Sequence, residues 1–289
     1  MGKKLRAAIL GTGMIATDLL IKLQRCELIE CSIFIGRRED SEGIKIAKSL
    51  GVATSAKGIE AIVENPDICD IVFDATSAGA HLTHAPILEK LGKLTLDLTP
   101  SKIGKMCVPT INLDECLCCS NINFITCAGQ ASIPLAHAIS KIHPNIEYFE
   151  IVTANPAQAV GMGSRKNVDE YVHTTGDAAE LFTGATKCKI LPTLNSTEPP
   201  MTMRNTVYAL IENPDLKEIS KAVAETEREI KKYAPGYRVV FGPAYAKGCV
   251  VVAVEVEGAG DYLPKYSGNL DIINCAAIKT AEGYAKKVL

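Results

Sequence analysis

A doubly wound α/β domain followed by an α+β domain is the fold that this 289-residue sequence predicts, and three observations predict it. Short apolar runs alternate with amphipathic stretches from Leu5 to about Ile125, the first of them ends in a glycine-rich turn, and beyond about residue 128 the alternation loses its regularity. Regular strand–helix alternation implies a parallel sheet, because each parallel strand needs a crossover to bring the chain back. A chain of this length that is 47% hydrophobic can bury a substantial core, and two domains fit it better than one.

The elements follow in order. Apolar residues Ala7-Ala-Ile-Leu10 mark a strand, 15–23 a helix, 31–35 a strand and 44–50 a helix. A helix over 59–63, a buried strand over 70–74, a helix over 80–91 and a strand over 94–97 continue the series. Ile122, Phe124 and Ile125 then form a strand that runs into a helix bearing Ile133, Leu135, Ala138, Ile139 and Ile142. In the second half, strands are expected over 148–153, 187–194, 206–211 and 249–256, with helices over 167–181, 215–233 and 270–288. The irregular order points to a mostly antiparallel sheet. The helix over 215–233 is expected to start with Asn213 as N-cap and Pro214 at its first position, and its stripe Leu216, Ile219, Val223, Thr226 and Ile230 reads as core.

Composition excludes several functions. A net charge of −2 from 31 basic and 33 acidic residues, with no basic run beyond Lys3-Lys4, argues against a nucleic-acid or anionic-membrane partner. The 11 cysteines are odd in number and irregular in spacing, which fits a reducing, cytoplasmic setting and not a disulfide framework. Cys116-Leu-Cys118-Cys119 lacks the paired spacing of a metal centre, so no metal is expected. A signal peptide and a membrane span are not expected either.

Gly11-Thr12-Gly13-Met14-Ile15-Ala16 follows a strand and opens a helix, the context in which G-x-G-x-x-G/A binds a dinucleotide. The first glycine makes the turn, the second admits a pyrophosphate, and the helix N-terminus holds the anion. This predicts a Rossmann domain. The carboxylate that usually ends the second strand is replaced by Arg37-Arg38, a pair suited to a 2′-phosphate, so NAD and NADP both stay open. A second glycine-rich stretch, Ala159-Val160-Gly161-Met162-Gly163-Ser164-Arg165-Lys166-Asn167, is either an anion cradle or a surface loop.

Asn123-Phe-Ile-Thr-Cys127-Ala-Gly-Gln130-Ala-Ser-Ile-Pro134 sets one cysteine where a strand becomes a helix. Free amides and the helix dipole at such a place favour negative charge, so the thiol of Cys127 is expected to be lowered and nucleophilic. The other cysteines read as core or loop thiols.

Together with Phe73-Asp-Ala-Thr-Ser-Ala-Gly-Ala-His81, Asp97-Leu-Thr-Pro100, Glu198-Pro-Pro200 and Gly268-Asn-Leu-Asp-Ile272, these motifs resemble acylating acetaldehyde dehydrogenase over nearly the whole chain. The resemblance implies a Rossmann domain over 1–128, with a last helix over 269–289 packing back on it. It implies a catalytic and dimerisation domain over 129–268, like the C-terminal domain of glyceraldehyde-3-phosphate dehydrogenase. It also implies oxidation of acetaldehyde, or another short aldehyde, to acyl-CoA with NAD and coenzyme A, in a homodimer partnered by a 4-hydroxy-2-oxovalerate aldolase during aromatic-hydrocarbon breakdown. Carried across, Cys127 is the acyl-thioester nucleophile, and the amides of Gly11, Thr12, Gly13, Met14 and Ile15, the loop from Ala159 to Asn167, and Asn269 match cofactor-binding positions. Arg38 is the residue through which NADP would be read.

Two departures stand out. The family stretch M-R-D-T is Met203-Arg-Asn205-Thr206 here, which puts an amide in place of a carboxylate regarded as assisting catalysis, and an amide cannot accept the thiol proton as a carboxylate does. The connection from Pro235-Gly-Tyr-Arg238 to Val250 is also short, as though part of the second sheet or an interface were missing. Two alternatives therefore stand beside the main reading. One is another thiol-dependent semialdehyde dehydrogenase of the same architecture, which would need a catalytic histidine; His137 lies about three helical turns beyond Cys127, too remote for that role, and His173 reads as core or surface on its helix. The other is a nucleotide-binding partner protein with weakened chemistry.

Overall fold

A computed structural model of the chain describes residues 4–161, 165 and 167–289. They divide into two compact units: the stretch up to Phe124 with Asp261–Leu263 and Asn274–Leu289, and Ile125–Gly260 with Pro264–Ile273.

The first unit is built on a seven-stranded sheet, all of whose pairings are parallel. Its elements are β1 (Leu5–Leu10), α1 (Met14–Leu23), β2 (Ile29–Ile35), α2 (Glu42–Ser49), β3 (Thr54–Ser55), α3 (Glu60–Glu64), β4 (Ile71–Asp74) and α4 (Ala78–Lys90). Then come β5 (Leu94–Asp97), β6 (Lys105–Met106), α5 (Pro109–Cys116) and β7 (Asn121–Asn123). The strand order β3-β2-β1-β4-β5-β7-β6 reverses direction between β1 and β4, the place where open α/β sheets take ligands. The central strands are buried on both faces and so read as continuous apolar runs: Ala7, Ala8, Ile9, Ile71, Val72 and Phe73 are all fully buried. Sequence periodicity did not resolve β3, β6 or α5, which are two to eight residues long.

The second unit carries a five-stranded mixed sheet of order β11-β12-β10-β8-β9, antiparallel except where β8 and β9 run parallel. Its elements are α6 (Cys127–Ile142), β8 (Tyr148–Pro156), α7 (Val168–Thr183), β9 (Lys187–Asn195), β10 (Met203–Leu210), α8 (Leu216–Lys231), β11 (Tyr237–Ala246) and β12 (Cys249–Val256). The last helix, α9 (Gly268–Val288), begins in the second unit and continues in the first. Within the first unit, Asn274 of α9 donates to Ile15 O at 3.1 Å and to Asp18 at 2.8 Å.

Two expectations are corrected. The N-cap of α8 is Asp215, whose carboxylate accepts from Lys217 N and Glu218 N, while Asn213 takes φ 54° in the left-handed region and Pro214 lies before the helix. Asp215 wins over the Asn-Pro start because its carboxylate takes two first-turn amides, while its own N–H donates to His143 Nε2 at 2.9 Å. The short connection after Arg238 is itself the edge strand β11, turned into β12 by Lys247 and Gly248 at φ 52° and 82°. Two residues with positive φ make a tight hairpin whose twist suits the flanking strands. Among the described residues no helix is long and apolar enough to cross a membrane.

Candidate functional site

The chain enters α6 through a strained turn. Ile125 sits at φ 63°, a region that a β-branched side chain rarely adopts. A side chain on Gly129 would stand 2.8 Å from Ile125 Cγ2, so Gly129 is what lets the helix follow the turn directly. Thr126 is the N-cap, its hydroxyl accepting from Gly129 N at 3.0 Å, and Cys127 is the first helical residue. Cys127 is a free cysteine and half-buried as a residue.

The expected lowering of that thiol is corrected by the packing around it. Burial pushes Cys127 above its ordinary value, outweighing the Tyr171 hydroxyl and the amides of Ala128 and Cys127, all of which pull it down. Helix-terminal amides stabilise a thiolate only in competition with the cost of removing charge from water. Tyr171 of α7 lies against the sulfur, its Oη 3.7 Å from Sγ. Thr153 and Asn155 on β8, joined to each other at 3.1 Å, act on the phenol to lower its pKa. Burial, and next the charge of Cys127, push its pKa well above the ordinary phenol value. No sequence motif marks Tyr171, because it stands 44 positions after Cys127 and meets it only through packing.

Asn205 lies on β10 opposite Thr153 of β8, and its side chain is buried, 1% exposed. Its Nδ2 donates to Ser132 Oγ at 2.7 Å and Ala128 O at 3.4 Å, which ties the first turns of α6 to the sheet. His137 engages the Phe182 carbonyl at 2.7 Å, and burial holds it below its ordinary value; His173 is exposed on α7.

In the same unit, Asn269 is buried and donates to Ala159 O at 3.0 Å, so two of the expected cofactor positions meet. Arg165 turns back on its own loop, donating to Val160 O at 3.0 Å and Ala157 O at 2.8 Å. Gly161 and Asn167 are half-buried beside them. Met162, Gly163, Ser164 and Lys166 lie outside the described residues.

In the first unit the glycine turn fits a dinucleotide. Gly11 has φ +114°, and a Cβ there would meet Ala75 O at 2.5 Å, so only glycine closes this turn at the switch point between β1 and β4. Gly13 is exposed, and a Cβ on it would meet nothing within 4 Å. The first turn of α1, with Met14 and Ile15, has no side-chain cap and no acidic residue, which leaves its amides for an anion beside Thr12 and Gly13. Arg38 is exposed and pairs with Asp40 at 3.6 Å.

The adjoining strand ends hold a buried polar row that sequence reading passed over. Asp74, Asp97 and Asn123 are paired in register across β4, β5 and β7, and all are fully buried. His81 Nδ1 lies 2.9 Å and His84 Nδ1 2.8 Å from Asp74 Oδ2, and Asp97 accepts from Asn123, Ser101 and Thr99 N. Burial alone would raise Asp74, but the two histidines and Thr76 hold it well below the usual carboxylate range. Burial likewise opposes the charge on His81, yet Asp74 and Asp97 raise it above its ordinary value; burial raises Asp97. Asp74 also accepts from Thr76 N at 3.1 Å, fixing the backbone against which Gly11 packs. The signal was present in the polar residues that interrupt the apolar motif from Val72 to His81.

The chain is similar to known proteins in sequence and in fold. A family described as "Prokaryotic acetaldehyde dehydrogenase, dimerisation" matches residues 127–264. The acetaldehyde dehydrogenase of Pectobacterium atrosepticum is 49% identical over 284 residues, covering 98% of this chain and 96% of that protein. That of Spirochaeta aurantia is 48% identical with the same coverage, and that of Carboxydothermus hydrogenoformans is 48% identical over 100% of this chain and 96% of its own. In fold the chain is similar to aspartate semialdehyde dehydrogenase II from Vibrio cholerae, with a TM-score of 0.66 at 13% identity, over 99% of this chain and 100% of that one.

Proposed function

The chain belongs to the acetaldehyde dehydrogenase family and is an aldehyde oxidoreductase, and on that premise we propose that it converts a short aldehyde, acetaldehyde first, to acyl-CoA through a thioester on Cys127. The observation that carries the reading is a free thiol on a half-buried residue at the first position of α6, in contact with a phenol and two backbone amides.

Cys127 acts first. Once its proton has left, the sulfur pair adds to the aldehyde carbon, and the carbonyl pair moves to oxygen, where amides at the start of α6 can stabilise it. NAD, or NADP, would supply the acceptor for the hydride that leaves the hemithioacetal carbon as the oxygen pair re-forms the carbonyl, which leaves a thioester on Cys127. Gly11, Thr12, Gly13, Met14 and Ile15 would hold its pyrophosphate through amides and the helix dipole, and Arg38 would take a 2′-phosphate. The Ala159–Asn167 loop and Asn269 are assigned to cofactor binding in the same reading. Coenzyme A then attacks the thioester carbon: the new C–S bond forms, the bond to Cys127 breaks with its pair going to sulfur, and the proton lost by the incoming thiol is matched by one taken up by the Cys127 sulfur. Asn205 serves here by anchoring the start of α6, since its amide is a donor to Ser132 and Ala128.

The second sheet supports a homodimer. Its face away from α6 presents Arg204, Tyr208, Leu210, Phe241 and the Arg204–Glu255–Arg238 ion cluster; Leu210 and Phe241 are 45% and 55% exposed. Exposed apolar residues around an ion cluster are what a self-complementary interface needs. In the same reading a 4-hydroxy-2-oxovalerate aldolase supplies the aldehyde, in the cytoplasm, during aromatic-hydrocarbon breakdown.

The test mixes the protein with NAD or NADP, coenzyme A and a series of short aldehydes. Growth of reduced-nicotinamide absorbance that depends on coenzyme A is expected. No turnover with either cofactor, alongside measurable NAD binding, would leave a nucleotide-binding scaffold.

A further inference from the structure

The sulfur of Cys127 needs a group that accommodates its charge, and Asn205 is committed elsewhere. Its Nδ2 is given to Ser132 and Ala128 O, and a side-chain amide takes no proton. The side chain that does reach the sulfur is Tyr171, at 3.7 Å. Tyr171 is held from two directions. Its carbonyl accepts from Thr175 Oγ1 at 2.7 Å, and that hydroxyl also meets Oγ1 of the N-cap Thr126 at 2.7 Å, so α7 is tied to the entry of α6. Its phenol rests on Thr153 and Asn155, which are joined to each other at 3.1 Å.

We propose that Tyr171 is a catalytic residue that donates its phenolic hydrogen to the Cys127 sulfur while the sulfur is a thiolate. This rests on the reading of Cys127 as the nucleophile. Water or hydroxide takes the thiol proton, the S–H pair stays on sulfur, and the Tyr171 O–H turns to that pair. When the pair forms the C–S bond to the aldehyde carbon and the carbonyl pair moves to oxygen, the charge has left the sulfur and the O–H···S bond weakens. Tyr171 keeps its own proton throughout, as its burial beside Cys127 requires. It is a donor and not the base.

The effect has a distinctive signature. Loss of one charge-assisted hydrogen bond should raise the thiol midpoint by about one pH unit, cutting the thiolate fraction about tenfold below the midpoint. Nucleophilicity rises with thiol basicity at a Brønsted slope of roughly 0.4–0.5, which returns about threefold. The Tyr171→Phe variant is therefore expected to react about threefold slower than the parent at low pH and about threefold faster at high pH, with crossing profiles.

The experiment alkylates the whole protein with iodoacetamide across a pH series and follows the Cys127 peptide by mass spectrometry, in the parent and in Tyr171→Phe. Circular dichroism and NADH binding confirm folding. Crossing curves with the midpoint displaced upward support the proposal; superimposable curves overturn it. Should the variant not fold, protein in which tyrosine is replaced biosynthetically by 3-fluorotyrosine keeps the contact with a stronger donor. Its Cys127 midpoint should drop, and an unchanged midpoint overturns the proposal equally. Turnover by a Cys127→Ser variant would instead remove the nucleophile reading, and the alkylation curves would still report the hydrogen bond.

Discussion

At the start of α1 the N-cap is Gly13, exposed and without a side chain to occupy the first amides; at the start of α6 it is Thr126, whose hydroxyl takes the amide of Gly129. Both helices follow a parallel strand through a residue with positive φ, Gly11 at 114° and Ile125 at 63°. In the first turn a glycine accommodates that conformation without strain, and the amides face outward for a charge brought by a ligand. In the second a β-branched residue is held in a costly conformation, and the charge is to be made locally on Cys127. On the proposed reading the same terminal amides would serve as a receptor in one place and as partial support for a nucleophile in the other, where burial outweighs them and Tyr171 is proposed to assist.

The largest separation of the two turns is expected from Cys127→Ser. A serine hydroxyl has a much higher pKa than a thiol, and acyl transfer should fall by more than about a thousandfold while NADH binding, read by fluorescence titration, stays within about twofold. Loss of binding together with turnover would mean that the two turns are not separable. Gly11→Ala should do the reverse. A Cβ 2.5 Å from Ala75 O at φ +114° costs on the order of 1–3 kcal/mol in strain, so NADH affinity should weaken at least tenfold while alkylation of Cys127 keeps its pH midpoint.

Legibility in the sequence differed between the turns in the same way. β1, the glycine turn and α1 could be read residue by residue because the backbone demands specific residues there, and β12 was read to its ends because an unbroken apolar run flanked by turns has few alternatives. Cys127 was placed at the first position of α6 by the change in periodicity alone. The direction of its thiol shift was not legible, since it depends on how much water the fold removes. Tyr171 depends on a contact between distant segments and carries no local signature, whereas the Asp74–His81–Asp97 row is marked locally only by polar residues that interrupt an apolar run, and its tie to Asp97 comes from the fold. β11 was missed because Gly242 and Pro243 interrupt its alternation at an irregularity in the register with β12.

A third prediction concerns the buried row beside the glycine turn. His81 is raised, so its contribution to stability is full below its ordinary value of about 6.5 and is lost as pH rises through the higher folded value. Asp74 is lowered, so its contribution is present above about 3.9 and is lost as pH falls through the depressed folded value. Asp97 is raised by burial, which costs stability as pH climbs from about 3.9. Tm should therefore fall on the alkaline side by roughly 2–4 °C for each kcal/mol lost, and Asp74→Asn should flatten that limb. A parallel alkaline decline in parent and variant would place its origin outside this row.

The smallest effect is expected at Arg38. Its guanidinium is exposed and pairs with Asp40 at 3.6 Å, so removing it should weaken NADP about three- to tenfold and leave NAD unchanged. An unaltered NADP/NAD ratio would assign the pair to the solvated surface.

The central claim, that acyl transfer passes through Cys127, is tested most directly by trapping the intermediate. The protein is incubated with acetaldehyde and NAD in the absence of coenzyme A, quenched in acid and digested, and each cysteine peptide is weighed. An acetyl group on the Cys127 peptide that disappears when coenzyme A is added before the quench is the predicted result. An unmodified Cys127 in protein that turns over with coenzyme A, or an acetyl group carried instead by another cysteine and discharged by coenzyme A, would contradict the account.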